Sequence, residues 1–131
     1  MIGLDTNVLV RYLTQDDPVQ SVRATELLEH RLSEGNPGFI STVVIAETSW
    51  VLQRAYRFTA AETAAAIERL LAANVLVVES EQEVYSAMIA LRNGLGSFAD
   101  ALIAAIGSRE NCSHTATFDR KALRLPGFAP A

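Results

Sequence analysis

The chain has 131 residues, of which 50% are hydrophobic and 20% are charged, so we expect one folded domain spanning residues 1–131 and exclude a disordered or fibrous chain. A formal net charge of -4 argues against a broadly basic surface for nucleic acid, and the single cysteine, Cys112, excludes a disulfide framework. No apolar run reaches the roughly 18–20 residues that a membrane-spanning helix needs, and the N-terminal residues lack the pattern of a signal peptide, so we expect a cytoplasmic protein.

Short β-type runs alternate with longer helical stretches along the chain. Residues 1–4 predict a first strand, which ends at Asp5. An Asp-Pro pair then begins a predicted helix over 17–35, which a glycine closes. Residues 38–42 predict a second strand, and the apolar pattern of 44–51 predicts the helix that follows it.

The alternation continues through the middle of the chain. Capping-box patterns at 59–62 and 80–83 begin predicted helices that run through Ala73 and to about Gly94. Between these helices, the consecutive apolar residues 75–78 predict a strand that is covered on both faces.

The last third of the chain predicts one more helix over 99–108, begun by Ser97, and a strand over 114–118. The end of the chain, 126–131, contains proline and glycine and predicts a frayed tail. The order of elements predicts an α/β fold, a three-layer sandwich with a short, mostly parallel central sheet and helices on both faces.

Four acidic residues fall where an open parallel sheet places its ligand sites, outside the carboxyl ends of the strands. Asp5 and Asp119 directly follow the first and last predicted strands. Glu47 lies in the early turns of the helix after the second strand, and Asp100 lies in the first turn of its own helix. Because these helices begin at the same edge of the sheet, we expect the four carboxylates to converge.

Each acid also has a structural interpretation. Asp100 is typical of a capping box, Asp119 of a turn, and Glu47 of a surface acid near a favourable helix dipole. The apolar neighbours of Glu47 nevertheless predict a largely buried segment. Asp5 is the hardest to explain structurally, because a carboxylate among apolar residues needs strong partners or a cation.

A cluster of this kind predicts a bound divalent cation. Several carboxylates within about 4–6 Å cannot all stay ionised unless a positive charge sits among them. Oxygen ligands favour Mg²⁺ or Mn²⁺ over zinc. The only histidines, His30 and His114, lack the spacing of metal ligands, and we expect structural roles for both.

Four short segments carry a resemblance to PIN-domain proteins: LDTNVL at 4–9, IAE at 45–47, FADALIA at 98–104 and TFD at 117–119. Their order and spacing, with the total length, resemble the VapC-type toxins of bacterial toxin–antitoxin pairs. The likeness covers essentially the whole chain. It implies a Mg²⁺- or Mn²⁺-dependent ribonuclease that forms a homodimer and is blocked by a small antitoxin.

The resemblance also implies roles for individual residues. By position, Asp5 and Asp100 would be the main metal ligands, and Glu47 and Asp119 would complete the acidic cluster directly or through water. A carboxylate would position the water that attacks the phosphodiester, and in-line attack by water would leave 5′-phosphate and 3′-hydroxyl ends.

Three further residues belong to the same motifs. Thr6, Asn7 and the hydroxyl of Thr117 would orient the acids or contact the scissile phosphate. A phosphoaspartate receiver is disfavoured, because Asn7 stands where such a module has a second acid. A non-catalytic PIN-like module, whose acids hold a basic side chain of a partner, stays open as the alternative.

An inhibitor of such a cluster could replace the metal with a cation of its own. An arginine fits best, because its planar fork can bridge Asp5 and Asp100. We expect the rest of the inhibitor to cover an apolar surface on two helices, and core packing is the alternative for most of the candidates, which are Leu27, Leu28, Leu32, Trp50, Leu52 and Tyr56.

Overall fold

The computed structural model describes all of residues 1–131 and contains six α-helices and five short strands. A π-helical turn extends the second helix, and a 3₁₀ turn precedes the last strand. None of the helices has the length and apolar character needed to span a membrane. The elements in chain order are β1 (Ile2–Gly3), α1 (Thr6–Thr14), α2 (Gln20–Glu26), the π turn (Leu27–Arg31), β2 (Gly38–Ile40), α3 (Thr42–Ala55), α4 (Ala60–Ala72), β3 (Leu76–Val78), α5 (Glu81–Arg92), α6 (Phe98–Arg109), β4 (Thr115–Thr117), the 3₁₀ turn (Ala122–Arg124) and β5 (Phe128–Pro130).

All paired strands are parallel. In the larger sheet β2 lies between β1 and β3, so that Ile2 is opposite Gly38 and Gly38 is opposite Leu76. A Cβ on Gly38 would come within 2.8 Å of side-chain carbons of Leu32 and Leu4, so any larger residue here would require these two buried leucines to shift. β4 and β5 form a second parallel pair. The predicted α/β class, with a short parallel sheet among helices, is confirmed.

The hydrophobic core draws on α1, α3, α4, α5 and α6 and on strands β2 and β3. Three candidates for the apolar partner surface belong to it, because Leu28, Leu32 and Leu52 are buried. Core packing, the alternative stated for most of the candidates, therefore holds for these three, whereas Trp50 is 61% exposed. The largest fully buried side chains are Leu9, Ile40, Ile45, Leu52, Ile67, Leu70, Met88 and Phe98.

Helix α1 is absent from the elements predicted above. Asp5 caps it in extended conformation, and the buried Leu9 and Val10 face the core. The two-residue strand β1 is followed by α1 within three residues. One apolar run spans both elements, so the sequence does not show where the strand ends and the helix begins.

The predicted helix over 17–35 is shorter and irregular. The Asp17 carboxylate accepts hydrogen bonds from the backbone N–H groups of Val19 and Gln20, as its capping pattern predicts. The π turn ends at Arg31, and the chain reverses at Glu34 and Gly35, between the bridged residues Ser33 and Asn36.

Two predictions around β3 were wrong. Because β3 is an edge strand, Val77 is 43% exposed and the strand is not covered on both faces. Ser80 makes no capping bond to α5. It adopts a left-handed conformation, with φ of 55°, and its hydroxyl accepts a hydrogen bond from Arg109.

The predicted frayed tail is a strand. Pairing with β4 fixes β5, and the N–H of Thr115 donates to the carbonyl of Gly127 at 2.7 Å. The N–H of Ala131 donates to the carbonyl of Thr117 at 3.0 Å. The composition of 126–131 concealed this strand. One of its two prolines, Pro130, occupies an edge strand, where a missing N–H is tolerated.

Candidate active site

A cleft between α1 and α3 brings together four of the residues singled out in the sequence. We call it the acid cleft; its volume is about 380 Å³. Asp5, Thr6 and Asn7 enter it from the start of α1, and Glu47 enters it from α3. The complete lining is Asp5, Thr6, Asn7, Val10, Arg11, Glu47, Val51, Ala55 and Tyr56.

Asp5 stands at the point where β1 ends and α1 begins. Its Oδ1 accepts a hydrogen bond of 2.8 Å from the backbone N–H of Thr6. The side chain is exposed while Leu4 and Thr6 on either side are buried, so the expected apolar surroundings of the carboxylate are absent. Solvent access removes the need for a buried ionic partner and leaves the carboxylate open to a ligand.

Thr6 joins the two helices of the acid cleft. Its side chain is only 7% exposed, and its hydroxyl donates a short hydrogen bond to Oε1 of Glu47. Glu47 itself is exposed, so the prediction of a largely buried segment was wrong on this face of α3. Val43 and Trp50, one helical turn away on either side, are 74% and 61% exposed.

Arg11 lies in the same cleft but is engaged elsewhere. Its guanidinium forms an ion pair of 2.9 Å with Asp16 and also donates to Gln20 and the hydroxyl of Tyr56. Hydrogen bonds from Tyr56, Thr14 and Arg11 lower the pKa of Asp16 to about 2. This group was missed in the sequence because nothing in its spacing joins Tyr56 to the other two.

Asp100 lies outside the acid cleft. Its backbone N–H donates to the hydroxyl of Ser97 at 3.1 Å, which confirms Ser97 as the cap of α6. Helix α6 packs against α3, the helix of Glu47, but Asp100 does not line the cleft. Its side chain is half-buried and makes no ion pair.

Asp119 occupies a turn after β4. Its Oδ1 accepts a hydrogen bond of 2.8 Å from the N–H of Lys121, and its own N–H donates to the Thr117 hydroxyl at 3.0 Å. The hydroxyl of Thr117 therefore contacts the backbone of Asp119, and its role in orienting the acid stays a prediction. Because β4 pairs with β5 and not with β1, the end of β4 is not joined to the end of β1 by the sheet.

The expected convergence of all four acids is thus incomplete. No three of the aspartate, glutamate, histidine and cysteine side chains form a group that could hold a metal ion. Asp5 and Glu47 share the acid cleft, and neither has an ion-pair partner. One or two carboxylates, with water and substrate phosphate, are the usual ligands of Mg²⁺, so this donor set fits such an ion.

Comparison with known proteins identifies a family. The sequence model described as the PIN domain matches residues 2–127, which includes the acid cleft, Asp100 and Asp119. No curated protein matches the chain significantly.

Proposed function

The chain belongs to the PIN domain family, whose members are generally metal-dependent nucleases, and on that premise we propose that it is a Mg²⁺- or Mn²⁺-dependent ribonuclease, the toxin of a toxin–antitoxin pair. The observation that carries the proposal is the acid cleft. Asp5 and Glu47 line it together and neither forms an ion pair, because the arginine of the lining, Arg11, is paired with Asp16. The overall charge of -4 makes such unpaired carboxylates a poor site for RNA unless a cation neutralises them.

The residues of the acid cleft have distinct tasks in this proposal. Asp5 and Glu47 would hold the ion, and Asp100 and Asp119, which do not line the acid cleft, would act through water. A bound divalent ion supplies polarisation of the phosphodiester and a water of lowered pKa. The buried Thr6 hydroxyl fixes the rotamer of Glu47 by donating to it. Asn7, exposed at the rim of the cleft, contacts the substrate phosphate.

Apart from the ion and water, the reaction uses only carboxylates of the chain. No histidine lines the acid cleft, and neither does Cys112. A carboxylate, Glu47 or Asp119, positions the attacking water and accepts its proton. In-line attack forms a bond between the water oxygen and phosphorus and breaks the bond between phosphorus and the 3′ oxygen. The leaving 3′ oxygen takes a proton from solvent, so the products are a 5′-phosphate and a 3′-hydroxyl.

Control of the activity is the second part of the proposal. We propose that the chain acts in the cytoplasm as a homodimer and that a small antitoxin silences it. An arginine of the antitoxin, inserted between the acids, takes the position of the ion. Changing that arginine to alanine in the inhibitor restores cleavage without fully releasing the complex, whereas undiminished inhibition would show that the partner blocks the path of the RNA instead.

The test of function is cleavage of a labelled RNA pool with Mg²⁺ or Mn²⁺, with EDTA, and with the Asp5→Asn variant. We expect cleavage only by the unmodified chain and only with the ion. The alternative, a non-catalytic module, predicts no cleavage and no binding of Mn²⁺ in a calorimetric titration. Binding of Mn²⁺ without cleavage of RNA would reject the ribonuclease and leave a metal-binding module.

A further inference from the structure

A second groove adjoins the acid cleft on the far side of α1. It lies between α1, α2 and the π turn, and its volume is about 310 Å³. Three arginines line it, Arg11, Arg23 and Arg31, and no acidic residue does. The groove is therefore positively charged, although the chain as a whole has a net charge of -4. We call it the arginine groove.

Two of these arginines are free to bind a ligand. Arg23 and Arg31 are exposed, and neither takes part in an ion pair or a side-chain hydrogen bond. Arg11 differs because its guanidinium is paired with Asp16 at 2.9 Å. The net positive charge of the groove therefore comes from Arg23 and Arg31, which lie two helical turns apart.

The groove and the acid cleft are neighbours on the two sides of α1. Asn7 and Arg11 line both, so a chain that lies in the arginine groove and crosses α1 reaches Asp5 and Glu47. The floor of the groove includes Leu27, an apolar surface against which a ribose or a base can pack. Guanidinium groups two turns apart suit a ligand with repeated anionic groups and not a single small anion.

From this arrangement we propose that the arginine groove binds the phosphate backbone of single-stranded RNA beside the bond to be cut, with Arg23 and Arg31 contacting separate phosphates. The inference rests on the proposed ribonuclease function. The inference assigns the RNA affinity of this acidic protein to the arginine groove. An acidic peptide is the other polyanion that could occupy the groove, and the experiment below distinguishes the two.

The test is binding of a fluorescein-labelled single-stranded RNA, measured by anisotropy in EDTA so that no cleavage occurs. Each phosphate contact contributes about 0.7 to the slope of log K against log salt for single strands. Loss of two contacts in Arg23→Gln/Arg31→Gln should lower that slope by about 1.4 and the affinity at 0.1 M salt by about 25-fold.

A matched control separates the groove from total charge. Arg92→Gln/Arg124→Gln removes the same charge from exposed arginines that line neither the groove nor the cleft, and it should change RNA binding less than threefold. Equal loss of RNA affinity in both double variants would overturn the proposal, because it would show that binding depends on the total charge of the chain and not on the groove. Unchanged RNA binding in Arg23→Gln/Arg31→Gln, together with lost binding of a labelled polyglutamate peptide, would assign the groove to an acidic protein.

Failure of this inference is distinguishable from failure of the ribonuclease proposal. If Arg23→Gln/Arg31→Gln cuts and binds RNA as well as the unmodified chain does, only the groove assignment is wrong. If the unmodified chain neither cuts nor binds RNA, both proposals are wrong. Thermal melts of the double variants should stay close to that of the parent, since all four arginines are exposed and the ion pair that the control loses, Arg92 with Glu68, lies at the surface.

Discussion

Asp5 has two roles that substitution can separate, capping of α1 and holding of the ion. Its Oδ1 accepts from the N–H of Thr6 at 2.8 Å while its carboxylate faces the acid cleft with Glu47. Asparagine caps helices as well as aspartate does, whereas alanine does not. Asp5→Asn should therefore remove the charge and keep the cap, and Asp5→Ala should remove both.

The expected magnitudes follow from these contacts. Loss of an N-cap side chain costs about 1 kcal/mol, which for a chain of 131 residues lowers the melting temperature by about 3–4 °C. In Asp5→Asn, loss of the favourable helix dipole term, about 0.3–1 kcal/mol, is offset by relief of repulsion from Glu47. The melting temperature of Asp5→Asn should therefore stay within about 2 °C of the parent.

The assay combines thermal melts in EDTA with cleavage of labelled RNA in Mn²⁺. Both variants should lose at least a hundredfold in cleavage rate, while only Asp5→Ala should melt lower. A large drop in the melting temperature of Asp5→Asn would show that the charge of Asp5 is structural. Retained cleavage by Asp5→Asn would remove the aspartate from the chemistry altogether.

Three further predictions use the same measurements. Thr6→Val keeps the shape of the side chain but removes the donor to Glu47, so it should lower the free energy of unfolding by about 1.5–3 kcal/mol and slow cleavage. Thr6→Ser keeps the donor and should retain most of the stability and most of the cleavage rate. Equal behaviour of the two variants would refute a positioning role of the hydroxyl. Mn²⁺ should raise the melting temperature because it binds only the folded chain, and this rise in melting temperature should be smaller in Asp100→Asn. An equal rise in Asp100→Asn would show that Asp100 has only a structural role in α6. Hydrogen bonds, that of the Tyr56 hydroxyl foremost, lower the pKa of Asp16 from 3.8 to about 2. The ionised Asp16 carboxylate therefore stabilises the fold fully above pH 3.8, and this stabilisation is lost as pH falls through about 2. The gap in stability between the parent and Asp16→Asn, measured by denaturant unfolding, should therefore shrink from pH 5 to pH 2, and a constant gap would contradict this.

Much of the fold follows from local sequence signals. The capping box of Thr59 and Glu62 is present with both of its hydrogen bonds, and Ser97 caps α6 as its position predicts. These signals are reliable because one side chain satisfies a backbone N–H of its own helix. Ser80 shows the limit, because its hydroxyl is taken by Arg109, which lies 29 residues away.

The site was predicted in part, for a physical reason. Asp5 and Glu47 share the acid cleft because α1 and α3 pack side by side. The sequence predicted that both acids lie at one edge of the sheet, but it did not predict α1 itself. The position of Asp119 depends on β4, whose partner is the unpredicted strand β5. Arg23 and Arg31 were missed because the groove that they line forms only when α2 packs beside α1.

The central claim is that the chain hydrolyses RNA with water activated at an acidic site. Its most direct test is the chemistry of the product ends. RNA cut by the unmodified chain in Mn²⁺ should carry 5′-phosphates and 3′-hydroxyls, which a 5′-phosphate-dependent ligase joins and a 3′-tailing polymerase extends without prior treatment. Cyclic 2′,3′-phosphate ends, or cleavage that persists in EDTA, would contradict the account.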